Sequence, residues 1–302
     1  MRRSGVVLLA GVLSGGLAAC GASRAADRTP GTVTVVATIN AWGSVLAQLG
    51  GSHVHATSLI TSPATDPHDY EPTTADARAL ADAQLVVENG IGYDAWAGKA
   101  LAAEPDDQRV VLDVGKVVGI ASDGNPHRWY APADVDTVAD AITADLARLD
   151  PPDAAYFRAQ RAAFDTGALA RYHALITQIR ATYADTPIGA SESIVSPLAE
   201  ALGLRMLTPA TFLRAISEGS EPSPADKLTI DEQIADKQIA VYVFNSQNST
   251  PDVTAQVAEA RKHGIPVVSV TETLTPAGAT FQAWQVGQLE ALAAALHEAT
   301  GR

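Results

Sequence analysis

Residues 152–183 read PDAAYFRAQRAAFDTGALARYHALITQIRATY, and nothing in this run except Gly167 interrupts a helical pattern. Phe157, Phe164, Tyr172, Leu175, Ile179 and Tyr183 recur at spacings near three, four and seven, the period of an apolar helix face. Pro151 and Pro152 suit a helix start. At ~1.5 Å per residue such a helix runs roughly 45 Å, whereas the mean helix has ~11–12 residues. A helix of that length can cross a whole molecule and join two lobes. The expected division is an N-terminal lobe over 32–151, a connector helix over 152–184 and a C-terminal lobe over 185–302.

The sequence on either side supports that division. From residue 33 onward, short apolar runs alternate with helical patterns: strands at Val33–Ala37, Val54–Ile60, Gln84–Glu88 and Arg109–Leu112, helices at Ala41–Leu49, Thr73–Ala81, Tyr93–Ala102 and Val135–Leu149. The alternation resumes after the connector, with strands at Ile188–Ala190, Arg205–Leu207, Gln238–Phe244 and Pro266–Val270. Helices are expected through Leu202 and at Thr229–Asp236, Val253–His263 and Phe281–Glu298. Strand–helix alternation implies parallel sheets with crossover helices, so the expected fold class is α/β, two lobes each with a parallel sheet. The body of about 270 residues is also long for one core.

The first twenty residues stand apart. Arg2 and Arg3 precede a small, apolar Val7–Leu17 stretch, then Leu17, Ala18, Ala19 and Cys20. That is the layout of a secretory signal peptide, and it is shorter than the ~20 apolar residues of a membrane-spanning helix. The Leu-Ala-Ala-Cys end resembles the bacterial lipobox, whose cysteine receives lipid and becomes residue one. Cys20 is the sole cysteine, so no disulfide can form within the chain. Residues 21–31, rich in Ala, Ser, Arg, Gly and Pro, read as a flexible tether. The formal charge is −13, and −15 once Arg2 and Arg3 leave with the signal. Such acidity argues against nucleic acid, which selects a basic face.

Two of the seven histidines occupy proline-stiffened loops directly after expected strands: Asp66-Pro67-His68-Asp69-Tyr70-Glu71-Pro72 and Asn125-Pro126-His127-Arg128-Trp129-Tyr130-Ala131-Pro132. In parallel α/β sheets ligands collect at the carboxyl ends of strands, and a stiff loop holding an imidazole there loses little entropy on binding. The recurrence of the pattern favours a binding role over two turns merely shaped by proline. His53, His55, His173, His263 and His297 have ordinary surface or helix-end positions. Trp42, Trp129 and Trp284 are expected in the core or lobe interface; Asn245 and Ser246 follow a strand and could line a cleft without being ligands.

Both loops resemble the metal-binding loops of the cluster A-I substrate-binding proteins of ABC importers, the family serving zinc and manganese uptake. The resemblance spans residues 33–298, including the long connector. It implies that His68 and His127 are metal ligands. It further implies a third ligand at Glu192, just after the first strand of the second lobe and ahead of the stretch Pro197–Leu204, and a fourth at Glu272, after the last strand, where the family more often has Asp. A plainer reading, compatible with ligation, puts Glu192 in the first turn of a helix capped by Ser191.

Two imidazoles and two carboxylates with no thiolate disfavour copper(I) and iron–sulfur, and two histidines disfavour calcium and magnesium. Mn²⁺, Zn²⁺ and Fe²⁺ remain. Glutamate as third ligand and the lack of a histidine-rich loop lean, by resemblance, to Mn²⁺, with Zn²⁺ next. The expected function is extracytoplasmic capture of one such ion. The protein would be a monomer, lipid-anchored at Cys20 on the outer face of the cell membrane, and would deliver to the permease and ATPase subunits of an importer. Rival readings are a metal-dependent hydrolase, which would need an open water position and a general base, a carrier of chelated metal or siderophore, which would need a roomy cleft, and an adhesin.

Overall fold

The computed structural model describes residues 32–62 and 70–302. The signal segment, Cys20, the tether and His68 lie outside the described residues. In chain order the N-terminal elements are β1 (Val33–Ile39), α1 (Asn40–Gly50), β2 (Val54–Ile60), α2 (Thr74–Asp82), β3 (Leu85–Glu88), α3 (Ala95–Ala103), β4 (Val110–Asp113), α4 (Val114–Val117) and α5 (Pro132–Leu149). After α6 (Ala154–Ala163) and α7 (Ala170–Tyr183) come β5 (Pro187–Ala190), α8 (Ser196–Leu202), β6 (Arg205–Met206), α9 (Ala210–Ser217), α10 (Pro224–Ala235), β7 (Val241–Asn245), α11 (Pro251–Lys262), β8 (Val267–Val270) and α12 (Phe281–Thr300).

Two four-stranded sheets result, in the orders β2-β1-β3-β4 and β6-β5-β7-β8. Every pairing is parallel. The lobes thus repeat one topology without a visible sequence repeat. β1 and β7 lie inside their sheets and are almost continuously buried, as parallel strands covered on both faces must be. Local signals agree with the elements. Thr73 and Asp76 form a capping box for α2, and Thr250 and Thr280 cap α11 and α12 through their side chains.

The connector differs from the expected single helix. α6 and α7 are joined by a π turn over Phe164–Ala168, closed by the Leu169 amide donating to the Phe164 carbonyl at 2.8 Å. The cause is the position of Leu169. Phe164 and Leu169 are both buried, yet a five-residue step on an α-helix would rotate the second well away from the face of the first. One widened turn restores the phase, so that Tyr172, Leu175 and Ile179 continue to face the core. α3 also starts later than expected, at Ala95, because Gly90, Ile91 and Gly92 all have positive φ and turn the chain before the helix begins.

A single hydrophobic cluster runs from Leu46 and Leu49 through Phe157, Phe164 and Tyr172 to Leu198, Phe281 and Leu289. It belongs to both lobes and the connector together. Each such side chain contributes about 1.5–3 kcal/mol by burial, so prising the lobes apart along this core would be costly.

Glu88, at the end of β3, illustrates strain from crowded acids. Burial, with Asp94 and Asp113 adding repulsion, pushes its pKa up to about 7. A raised acid binds its proton more tightly when folded, so its favourable contribution is complete below the ordinary carboxylate range and is lost as pH rises through 7. Glu88→Gln is therefore expected to stabilise the protein at pH 8 by about 1–2 kcal/mol, after discounting for partial exposure. Thermal melting at pH 4 and pH 8 checks this; an equal effect at both would contradict it.

Candidate metal centre

Three strand ends and one loop converge between the lobes. The end of β5 leads into Glu192, β7 ends at Asn245, β8 leads into Glu272, and the loop after α4 carries His127. His127, Glu192 and Glu272 are each 0% exposed, and one donor atom from each lies within 4.8 Å of the others. Among the described residues, two further groupings of this kind, His53–Asp150–Asp153 and Asp136–Asp165–His173, consist of half-exposed side chains. In the first, His53 Nδ1 lies 2.6 Å from Asp153; in the second, Arg161 already binds Asp136. Of the three groupings, only the buried trio is fully desolvated, which makes carboxylates costly unless something positive joins them.

His127 is held from several sides. Asn125 Oδ1 accepts from its backbone amide at 3.0 Å and lies 2.9 Å from its Nδ1. The same amide group donates through Nδ2 to the Ser193 carbonyl across the lobe boundary at 2.7 Å, which fixes its orientation. Nδ1 of His127 must then carry the proton, and the lone pair falls on Nε2. That nitrogen faces Glu272 Oε2 at 3.7 Å. Trp129 and Tyr93 pack edge-on against the imidazole, with ring centroids at 5.4 and 6.1 Å. The Pro126 carbonyl accepts from Asn89 Nδ2 at 2.9 Å, while Asn89 Oδ1 accepts from Trp42 Nε1 at 2.9 Å.

Glu192 has extended backbone just before a short 3₁₀ turn over Ser193–Val195, and no Ser191 cap is formed. The expected helical turn capped by Ser191 is therefore not formed at Glu192. The Ser191 hydroxyl instead accepts from the Asn245 amide at 3.1 Å, tying two strand ends together. Glu192 Oε1 accepts from Asn245 Nδ2 at 2.7 Å and Oε2 from Asn248 Nδ2 at 2.9 Å. Glu272 Oε1 accepts from the same Asn245 nitrogen at 2.8 Å, and Oε2 from the Tyr93 hydroxyl at 2.6 Å. Gln247 Oε1 accepts from the Glu272 backbone amide at 2.7 Å. Of these helpers, only Asn245 had a sequence signal, its place after a strand. Tyr93 lies five residues past the end of β3, beyond the positive-φ turn at Gly90–Gly92, where strand-end placement gave no signal.

Among the described residues the donor set is one directed imidazole nitrogen and two carboxylates, which suits a divalent transition metal better than a soft or a purely oxygen-seeking ion. Trp42, Trp129 and Trp284 are buried, and Ser246 is exposed beside the site. No helix among the described residues is long and apolar enough to cross a membrane.

Comparison with known proteins places the chain in a family and a fold. Residues 35–295 match the family described as ZnuA, zinc-uptake complex component A, periplasmic. The manganese-binding lipoprotein MntA of Halalkalibacterium halodurans is 28% identical over 153 residues, covering 49% of this chain and 50% of that protein. The chain thus spans about half the length of the first curated relatives it matches. Among solved structures, a periplasmic metal binding protein of Candidatus Liberibacter asiaticus superposes with TM-score 0.73 at 20% identity, over 88% of this chain and 100% of that one. The substrate-binding protein FpvC of Pseudomonas aeruginosa, in complex with Mn²⁺, gives TM-score 0.72 at 22% identity, over 88% and 99%. At these identities the superpositions establish the shared fold.

Proposed function

We propose that this chain, which belongs to the periplasmic zinc-uptake complex component A family, captures one divalent transition-metal ion outside the cytoplasm and passes it to an ABC importer. The observation that carries the reading is the convergence of His127, Glu192 and Glu272, from both halves of the molecule, into one buried cluster. His68, in the other Pro-His stretch of the sequence, is the proposed fourth ligand. The lobes are taken as 32–151 and 185–302 with the connector at 152–184, and the ion would bridge them.

The chemistry is capture, and no enzymatic step is proposed. Every ligand must be deprotonated, so affinity falls as pH drops through the histidine range. The cargo is Mn²⁺ or Zn²⁺, with Fe²⁺ chemically compatible. The Irving–Williams order makes Zn²⁺ a strong competitor whatever the physiological ion. Cys20 would anchor the mature monomer to the outer face of the membrane, and the permease and ATPase subunits of the importer would be its partners.

Elemental analysis of protein purified without added metal tests the reading. The expected result is close to one equivalent of manganese or zinc, removable by chelator and restored by titration. A protein that neither carries nor takes up either ion would refute it.

A further inference from the structure

All four oxygens of Glu192 and Glu272 accept a hydrogen bond from a side chain: Asn248 and Asn245 on Glu192, Asn245 and Tyr93 on Glu272. Asn245 is central, because its single amide nitrogen serves one oxygen of each carboxylate at 2.7 and 2.8 Å. Its orientation is fixed from behind. Oδ1 accepts from the Gln247 amide at 2.9 Å, and its backbone N–H is held by Ser191. A flipped amide would set an oxygen against two carboxylates and a nitrogen against an N–H. Asn245 is itself 0% exposed, so water offers it little alternative partnership.

A carboxylate held at both oxygens cannot swing freely to bind through one of them. It presents both oxygens together, since turning one away breaks a buried hydrogen bond. Two carboxylates presented in this manner offer four oxygens, and His127, with the proposed ligand His68, adds nitrogen donors. That exceeds the four donors that zinc ordinarily takes and suits an ion that accepts six, such as Mn²⁺. Geometry and ligand number, rather than raw affinity, are how a protein departs from the Irving–Williams order.

We infer that Asn245 is a specificity-determining residue. By clamping Glu192 and Glu272 in a two-oxygen presentation, it shifts the site's preference toward Mn²⁺ relative to Zn²⁺. The inference rests on the proposal that these glutamates are ligands and adds the residue that governs how they bind. Asn248 and Tyr93 are positioning residues acting in the same direction.

The test compares wild-type protein with Asn245→Ala and Asn248→Ala, titrated separately with Mn²⁺ and Zn²⁺ against a competing chelator. Loss of an outer-sphere partner typically weakens a metal by about 10–100-fold. The expected result is a fall of that size for Mn²⁺ in Asn245→Ala with a much smaller fall for Zn²⁺, moving the ratio of the two affinities toward zinc by about tenfold. Asn248→Ala, whose side chain is only partly buried, should move the ratio in the same direction by less, and it preserves the test should the first variant fold poorly. Equal weakening of both ions, or no change in the ratio in either variant, would overturn the inference while leaving the metal centre standing. A wild-type protein that binds neither ion would instead bring down the reading beneath it.

Discussion

Replacing His127 with alanine is expected to abolish tight metal capture while the protein stays folded. The imidazole is the one nitrogen donor of the cluster among the described residues, and Asn125 sets its tautomer so that Nε2 faces the carboxylates. Loss of a direct ligand should exceed the ~100-fold upper range for an outer partner. The cost to stability is that of a buried ring leaving a partly filled space, about 1–3 kcal/mol, which a core of this extent tolerates. Combining His127→Ala with His68→Ala should remove residual binding. His263→Ala is the control, because that side chain pairs with Glu259 on the surface of α11 and should leave capture unchanged. Chelator competition measures the affinities and circular dichroism the fold. Retained stoichiometric binding in the double variant would be incompatible with the proposed centre.

Glu272→Gln should separate function from stability. Glu192 and Glu272 are both fully buried and reach the same amide nitrogen, so two carboxyl groups crowd one desolvated site. Removing one charge while keeping the shape should stabilise the metal-free protein by about 1–2 kcal/mol, within the range seen when buried charges are replaced. For a protein of this size that is a rise in melting temperature of roughly 2–4 °C per kcal/mol. The same change should cost more than 100-fold in metal affinity, since a charged ligand becomes a neutral one. Wild type at 100 times its dissociation constant gains about 2.7 kcal/mol from bound metal; the variant should gain almost nothing. Calorimetry with and without Mn²⁺ would thus show the order of stability invert on adding metal. A variant less stable without metal, and still stabilised by it, would contradict the argument.

The alternation of apolar runs and helical patterns made both sheets readable, because parallel strands covered on two faces must be apolar throughout. The connector was readable from Phe157, Phe164 and Tyr172, but its π turn was not, and the signal was Leu169, a buried residue five positions beyond Phe164. The same limit applies at the site. Proline-stiffened His127 announces itself locally, whereas Tyr93 reaches Glu272 from 179 positions away in sequence. Asn248 contacts Glu192 from 56 positions away. Such partners are set by how strand ends meet, and no local period or spacing records that meeting. Asn245 was visible as a strand-end residue, yet only the structure gives the bridge between two carboxylates.

The central claim is most directly tested by anomalous diffraction from crystals of the full-length mature protein grown with Mn²⁺. The account predicts one strong peak within about 2.0–2.6 Å of His127 Nε2 and of carboxylate oxygens of Glu192 and Glu272. A peak found instead beside Asp136, Asp165 and His173, with none between the lobes, would contradict it.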